Sequence, residues 1–200
     1  MSTVSMPNIL FILSDQQRWD TLGCYGQKLN VTPELDKLAS RGVCFEHAFT
    51  PQPLCGPARA CIQTGKYPTQ TGNYRNSIAL PETEKTIAHY LSEAGYEIAY
   101  IGKWHLASTT GKNFQNKDYR TKAVPLNRRG GYNDFWLASD VLEFTSHGYD
   151  GCLYNSDMEK VSFRGYRADC LTDFAIEYIQ NRKSSKPFYL FLSFVEPHHQ

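Results

Sequence analysis

Cys55, Arg59, Lys103, His105 and His198 are the side chains of this sequence best suited to attack, hold or protonate an ester, and Asp15 with Gln16 supplies hard oxygens. The stretch Pro53-Leu54-Cys55-Gly56-Pro57-Ala58-Arg59 poses the first question. A free thiol, half of a disulfide, a metal ligand and a nucleophile all suit a lone cysteine. A helix is expected from Ala58 to Thr64, which sets Cys55 just ahead of an N-terminus whose unpaired N–H groups and dipole favour an anion. Arg59 follows one helical turn on and can return a bidentate guanidinium to the same end, while Lys103 adds a point charge. The oxygens of Asp15 and Gln16 are appropriate to Ca²⁺ or Mg²⁺. His105 and His198 can move protons near neutral pH. Together these residues describe ester cleavage at a sulfate or phosphate centre.

The elements that must position them follow from apolar patterning. Asn8 to Ser14 is a continuous apolar run, expected as a strand buried on both faces. Thr32-Pro33-Glu34 opens a helix with Leu35, Leu38 and Ala39 as its inner stripe and Gly42 as its stop. Val43 to Phe49 is expected as a strand, Thr86 to Ala94 as a helix and Tyr96 to Ile101 as a strand. Residues 106–164 are rich in Gly, Asn, Asp, Tyr and Lys and are expected to be an irregular insertion, the usual place for functional loops. An amphipathic helix runs from about Tyr166 to Arg182, with Leu171, Phe174, Ala175, Tyr178 and Ile179 inward. Pro187 to Val195 is a buried strand.

Helices alternating with apolar strands predict an α/β sheet, mostly parallel and flanked by helices. Three strands end in polar clusters: Asp15-Gln16, Lys103-Trp104-His105 and Glu196-Pro197-His198-His199. Ligands in open α/β sheets sit outside the carboxyl ends of the strands, so these clusters and the Cys55 loop are expected to share one site. His199 is expected at its rim; His47, His89 and His147 have no motif around them and are expected to be structural.

Bulk composition removes other classes. Lys and Arg number 21 against 20 Asp and Glu, and a net charge of +1 gives no reason to invoke nucleic acid or an anionic membrane as a partner. No apolar run approaches membrane-spanning length. The N-terminus lacks the basic start and length of a signal peptide, which predicts a cytoplasmic protein. Cys24, Cys44, Cys55, Cys61, Cys152 and Cys170 form no C-x-x-C pair and no zinc spacing, so reduced thiols are expected.

Cys55-Gly56-Pro57-Ala58-Arg59, followed by Thr64-Gly65, resembles the sulfatase signature C-x-P-x-R with its downstream T-G. Gly95-Tyr96 leading to Gly102-Lys103-Trp104-His105 resembles the second sulfatase motif. Thr32 to Phe45 resembles the helix and strand that precede the signature, and Pro197-His198 resembles a third active-site element. The resemblance spans Asn8 to His199. It implies an alkaline-phosphatase-like fold and oxidation of Cys55 to formylglycine by a sulfatase-maturating enzyme. It further implies a Ca²⁺ or Mg²⁺ ion held by Asp15, Gln16 and residue 55, and hydrolysis of a small-molecule or carbohydrate sulfate ester. In that scheme the hydrated aldehyde attacks sulfur, Lys103 stabilises the sulfuryl oxygens and Arg59 holds the diol. His198 protonates the leaving alcohol, and His105 deprotonates the second hydroxyl to expel sulfate.

Two departures from the family pattern matter. Many sulfatases have paired aspartates where this chain has Asp15-Gln16, an arrangement similar to relatives acting on choline sulfate or phosphonate monoesters. That keeps a phosphonate or phosphate ester hydrolase as the alternative. The family also completes its metal site with residues from a later segment. Residues 1–200 are therefore read as the N-terminal portion of a sulfatase catalytic domain, missing on its own the later metal ligands that the family's catalysis requires. An unconverted, inactive binding fragment and a hydrolase with a Cys/His pair are the remaining alternatives.

Overall fold

The computed structural model describes residues 6–111 and 117–200. Its strands are β1 (Ile9–Leu13), β2 (Glu97–Lys103), β3 (Phe135–Ser139), β4 (Asp150–Asn155), β5 (Lys160–Arg164) and β6 (Phe188–Ser193). Its α-helices are α1 (Pro33–Arg41), α2 (Cys55–Thr64), α3 (Pro68–Thr71), α4 (Ile87–Glu93) and α5 (Arg167–Asn181). The six strands form one sheet in the order β1-β6-β2-β3-β4-β5. β1, β6, β2 and β3 run parallel, and β4 and β5 return as an antiparallel hairpin at the far edge.

Alternation along β2 explains the layering. Ile98 and Tyr100 face one side, packing with Ala60 of α2, Ala88 of α4, Trp104, Trp136 and Phe191. Ala99 and Ile101 face the other, packing with Leu171, Ala175 and Tyr178 of α5. The first face is an aromatic stack in which Tyr100 lies parallel to Phe191 at 5.1 Å and Phe11 to Phe191 at 4.6 Å. Helices on both faces of a mostly parallel sheet are the expected α/β architecture. Because the four parallel strands share a direction, Ser14-Asp15, Lys103-Trp104-His105, Asp140 and Phe194 to His198 all leave the sheet at the same edge.

Several expectations are corrected. Residues 106–164 are not irregular throughout: they contain β3, β4 and β5. Val43 to Phe49 has the alternation of a strand but forms none, and Val43, Phe45 and Phe49 are exposed. An isolated extended segment has nothing to accept or donate its ladder hydrogen bonds, so alternation alone does not make a strand. β1 is not buried on both faces, since Leu10 and Ile12 are exposed while Ile9, Phe11 and Leu13 pack on the core. The stripe of α1 is likewise not inward, with Leu35 and Leu38 exposed; Tyr90 of α4 and Ile179 of α5 are also exposed. Lastly, α2 begins at Cys55 rather than Ala58, with Leu54 as its N-cap. Pro57 is accommodated because N–H groups in the first turn have no intrahelical partner to lose.

Candidate functional site

A cavity of about 610 Å³ opens at the carboxyl edge of the sheet, lined among others by Asp15, Gln16, Cys55, Arg59, Asn76 and His198. The side chains arrive from several elements. Asp15 and Gln16 follow β1, Cys55 and Arg59 occupy the first turns of α2, and His198 follows β6. Lys103 is the last residue of β2 and His105 lies two residues beyond it.

Lys103 is completely buried, and its Nζ donates to Asp15 Oδ2 at 2.6 Å and to Glu143 Oε1. Gly102 makes this possible. Its φ is +107°, and a Cβ there would stand 2.0 Å from the Ser193 carbonyl oxygen, so β2 could not bend against β6 with any larger residue. Arg59 is also buried. Its Nη1 donates to the Lys103 carbonyl at 2.8 Å and to Ser193 Oγ at 2.6 Å, and its Nη2 donates to Asp15 Oδ2 at 3.2 Å. One guanidinium thus ties α2 to the ends of β1, β2 and β6.

The two cations set the electrostatics. Burial pushes the Asp15 carboxyl up, but Arg59 and Lys103 outweigh it and hold it below the ordinary aspartate value. Burial, reinforced by Lys103 and Arg59, pushes His105 down to about 3, so this ring is neutral at ordinary pH. Its Nδ1 is buried with no partner among the described residues. His105 and Gln16 both adopt left-handed backbone, at φ 61° and 58°. Such conformations in non-glycine residues cost of order 1 kcal/mol or more and concentrate at functional sites. The His105 conformation is braced by its own N–H to the Asp140 carbonyl at 2.6 Å.

The Cys55 thiol is partly buried and accepts from Asn76 Nδ2 at 3.4 Å; Asn76 Oδ1 accepts the Gly56 N–H at 2.9 Å. Asp15, Gln16, Cys55, Arg59 and His198 line the cavity. Lys103 is buried against Asp15, and His105, near enough to Lys103, Arg59 and Asp15 to feel their charges, is not part of the lining. His199 lies at the rim, its N–H directed to Gln16 Oε1 at 3.3 Å. His47 and His147 are exposed away from this network, and His89 caps α4 through Thr86. Three participants escaped the sequence reading: Asn76, Ser193 and Glu143. None stands in a motif, and only the sheet edge brings them to Cys55, Arg59 and Lys103.

The donor set fits a hard divalent cation in part. Asp15 and Gln16 offer oxygens on one cavity wall beside residue 55, but among the described residues no group of three or more His, Cys, Asp or Glu side chains converges as a cage. A thiol is a soft ligand poorly matched to Ca²⁺ or Mg²⁺, whereas oxygens at position 55 would match.

Comparison with known proteins agrees with this architecture. The Sulfatase family model matches residues 7–200, and the chain belongs to that family. It is 32% identical over 194 residues to N-acetylglucosamine-6-O-sulfatase of Bacteroides thetaiotaomicron, covering 96% of this chain and 31% of that protein. It is 36% identical over 195 residues to an ulvan-active sulfatase of Formosa agariphila, covering 96% and 35%. A protein solved in complex with its substrate D-glucosamine-2-N,6-O-disulfate superposes with a TM-score of 0.80 at 31% identity, over 98% of this chain and 35% of that one. A putative sulfatase from Bacteroides fragilis gives 0.83 at 29% identity, over 99% and 46%. The fold is accordingly that of the alkaline-phosphatase-like sulfatases, and the chain spans about a third of the length of these two curated relatives.

Proposed function

We propose that this chain carries the nucleophile-bearing part of a formylglycine-dependent sulfatase that hydrolyses a sulfate ester on a carbohydrate. The observation that carries the reading is the convergence of Asp15, Cys55, Arg59 and His198 on one cavity, with buried Lys103 below it. The carbohydrate substrate is suggested by relatives named for sulfated sugars and for ulvan.

Matured to formylglycine, residue 55 would supply a hydrated aldehyde as nucleophile, and Asp15, Gln16 and that residue would hold a divalent cation, which would supply positive charge at the site. The protein's own side chains do the rest. Lys103, fixed by Asp15 and Glu143, presents an ammonium that needs no reorganisation as charge develops on the sulfuryl group. Arg59 locks the relative positions of α2, β1, β2 and β6, and so the approach of residue 55 to the bound ester. His198, on the cavity wall, gives a proton to the departing alcohol. His105 starts neutral because burial and two neighbouring cations disfavour its charged form. Its neutral ring has a free lone pair for the proton whose removal lets sulfate leave, and the same burial and cations make the charged ring short-lived, so that it passes the proton on.

The test is co-expression, with a sulfatase-maturating enzyme, of these residues within the whole catalytic domain of which they are read as the N-terminal portion, followed by mass spectrometry of the peptide spanning Cys55 and turnover of an aryl sulfate and an aryl phosphate sharing one leaving group. The aldehyde, faster sulfate turnover and loss of activity on chelation are expected. An intact thiol, or activity that survives chelation but not alkylation, rules the reading out. Preference for the phosphate ester moves the chain to the phosphoester branch suggested by Asp15-Gln16.

A further inference from the structure

Glu143 lies in the short turn Leu142–Phe144 that follows β3, and its side chain is 11% exposed. One oxygen, Oε1, holds Lys103 and stands 4.0 Å from His198 Nδ1. The other, Oε2, is buried without a hydrogen-bond partner among the described residues, and so is His198 Nδ1. A carboxylate with one buried oxygen unpartnered and its other oxygen 4.0 Å from an equally unpartnered buried ring nitrogen is rare in folded proteins and calls for an explanation. A small rotation of the imidazole closes the gap, as catalytic hydrogen bonds commonly tighten only when substrate is bound.

The backbone around the pair is built to keep the two together. Arg167, buried at the start of α5, donates through Nε to Glu196 Oε1 at 2.9 Å and through Nη1 to Ser146 Oγ at 2.9 Å and Gln200 Oε1 at 2.8 Å. Gln200 Nε2 in turn donates to the carbonyls of Glu143 at 3.0 Å and Ser146 at 2.7 Å. The loop bearing Glu143 and the segment bearing His198 are therefore cross-linked through α5.

We propose that Glu143 is the positioning residue of His198, and that the pair sets the enzyme's reach toward esters with poor leaving groups. The proposal rests on the sulfatase reading. Glu143 accepts the Nδ1–H, which fixes the ring so that the protonated Nε2 faces the ester oxygen and the carboxylate steadies the imidazolium. As the bond from sulfur to the alcohol oxygen breaks, its electron pair stays on that oxygen and takes the Nε2 proton. The new bond at sulfur is to the nucleophile's oxygen. His198 is left neutral, with Nδ1–H still on Glu143. Glu143 touches no reacting atom; it acts through His198, and Lys103 keeps its own contact to Asp15 without it.

Leaving-group dependence separates this role from a structural one. For the matured whole catalytic domain, kcat and KM are measured on 4-nitrophenyl sulfate, whose phenolate leaves easily, and on an alkyl sulfate, whose alkoxide needs the proton. Glu143→Gln and His198→Gln are each expected to lower kcat on the alkyl ester about 100-fold and on the nitrophenyl ester less than about 10-fold, with KM little changed. The double variant is expected to be no worse than His198→Gln alone. Glu143→Asp, which keeps the charge at a shorter reach, covers the case in which the amide destabilises the fold; it is expected to retain the same selective loss in milder form. Equal losses on both esters, or additive losses in the double variant, overturn the proposal while leaving the sulfatase reading intact. Failure of the wild-type protein to cleave either ester overturns both.

Discussion

Arg59 reaches three acceptors from one planar head: the Lys103 carbonyl, Ser193 Oγ and Asp15 Oδ2. A lysine could meet one of them and would leave the others buried and unsatisfied. Arg59→Lys is therefore expected to loosen Asp15 and the start of α2 together. In steady-state assays of aryl sulfate turnover the expected loss in kcat is about 100-fold, the scale of a misplacement of about 1 Å at a reacting centre. Cation affinity, measured by titration calorimetry, should weaken in parallel because Asp15 loses its anchor. Unchanged affinity with reduced kcat would mean that Arg59 acts on the ester and not on Asp15.

The loops that carry these side chains are held by elements some distance away. Asp140, at the end of β3, accepts the Ala107 N–H at 2.9 Å and the Ser108 hydroxyl, and its carbonyl takes the His105 N–H. Asp140→Ala strands the buried Ala107 N–H and Ser108 hydroxyl in the segment that follows His105, while the backbone carbonyl of residue 140 still accepts the His105 N–H. A loss of about 1–3 kcal/mol in denaturant unfolding is expected, with activity falling further than stability explains. Glu97, at the start of β2, makes a different brace: its carboxylate accepts from Tyr178 at 2.8 Å and from Arg182 at 2.8 Å, clamping the end of α5 to the sheet. Burial pushes Glu97 up, but those hydrogen bonds outweigh it and leave it below its ordinary value of 4.5. A depressed folded value means that this stabilisation is complete above the unfolded value and is lost as pH falls through the folded one. Glu97→Gln should then destabilise by about 1–3 kcal/mol at neutral pH. The gap to wild type should close in unfolding curves recorded as pH falls through the folded value, where the native carboxyl is itself protonated. Such braces also mark what was legible in the sequence. Lys103 and His105 could be found because they end an apolar run in β2. Asp140 and Glu143 could not, because the five residues of β3 are lost in Gly-, Asn- and Asp-rich surroundings and β4 carries Gly151 within a half-exposed strand. Asn76 and Ser193 act only across the fold, and no local spacing reports that.

At the scale of the molecule, apolar surface is distributed unevenly. β1 has β6 as its one strand neighbour among the described residues, so its other edge presents free N–H and C=O groups. Leu10 and Ile12 project from the same face of the sheet as α5, in register with Leu190 and Leu192, but are exposed by 47% and 57%. Leu35 and Leu38 of α1, then Val43, Phe45 and Phe49, are exposed as well, although α1 has the patterning of a helix with a buried face. Alternation in Val43 to Phe49 and periodicity in α1 thus reported burial that the described residues do not provide. The relatives are about three times as long and have further chain with which such a face can be covered. Left in water, an open strand edge beside an apolar face is a template for association with another copy. The 200-residue chain produced alone is therefore expected to bind a hydrophobic dye and to sediment as concentration-dependent oligomers. Replacing both Leu10 and Ile12 by lysine should reduce that association without harming the sheet, because neither side chain packs on the aromatic stack that Phe11 joins. A monomer at all concentrations, with no dye binding, would show instead that the exposed face folds back on itself in solution.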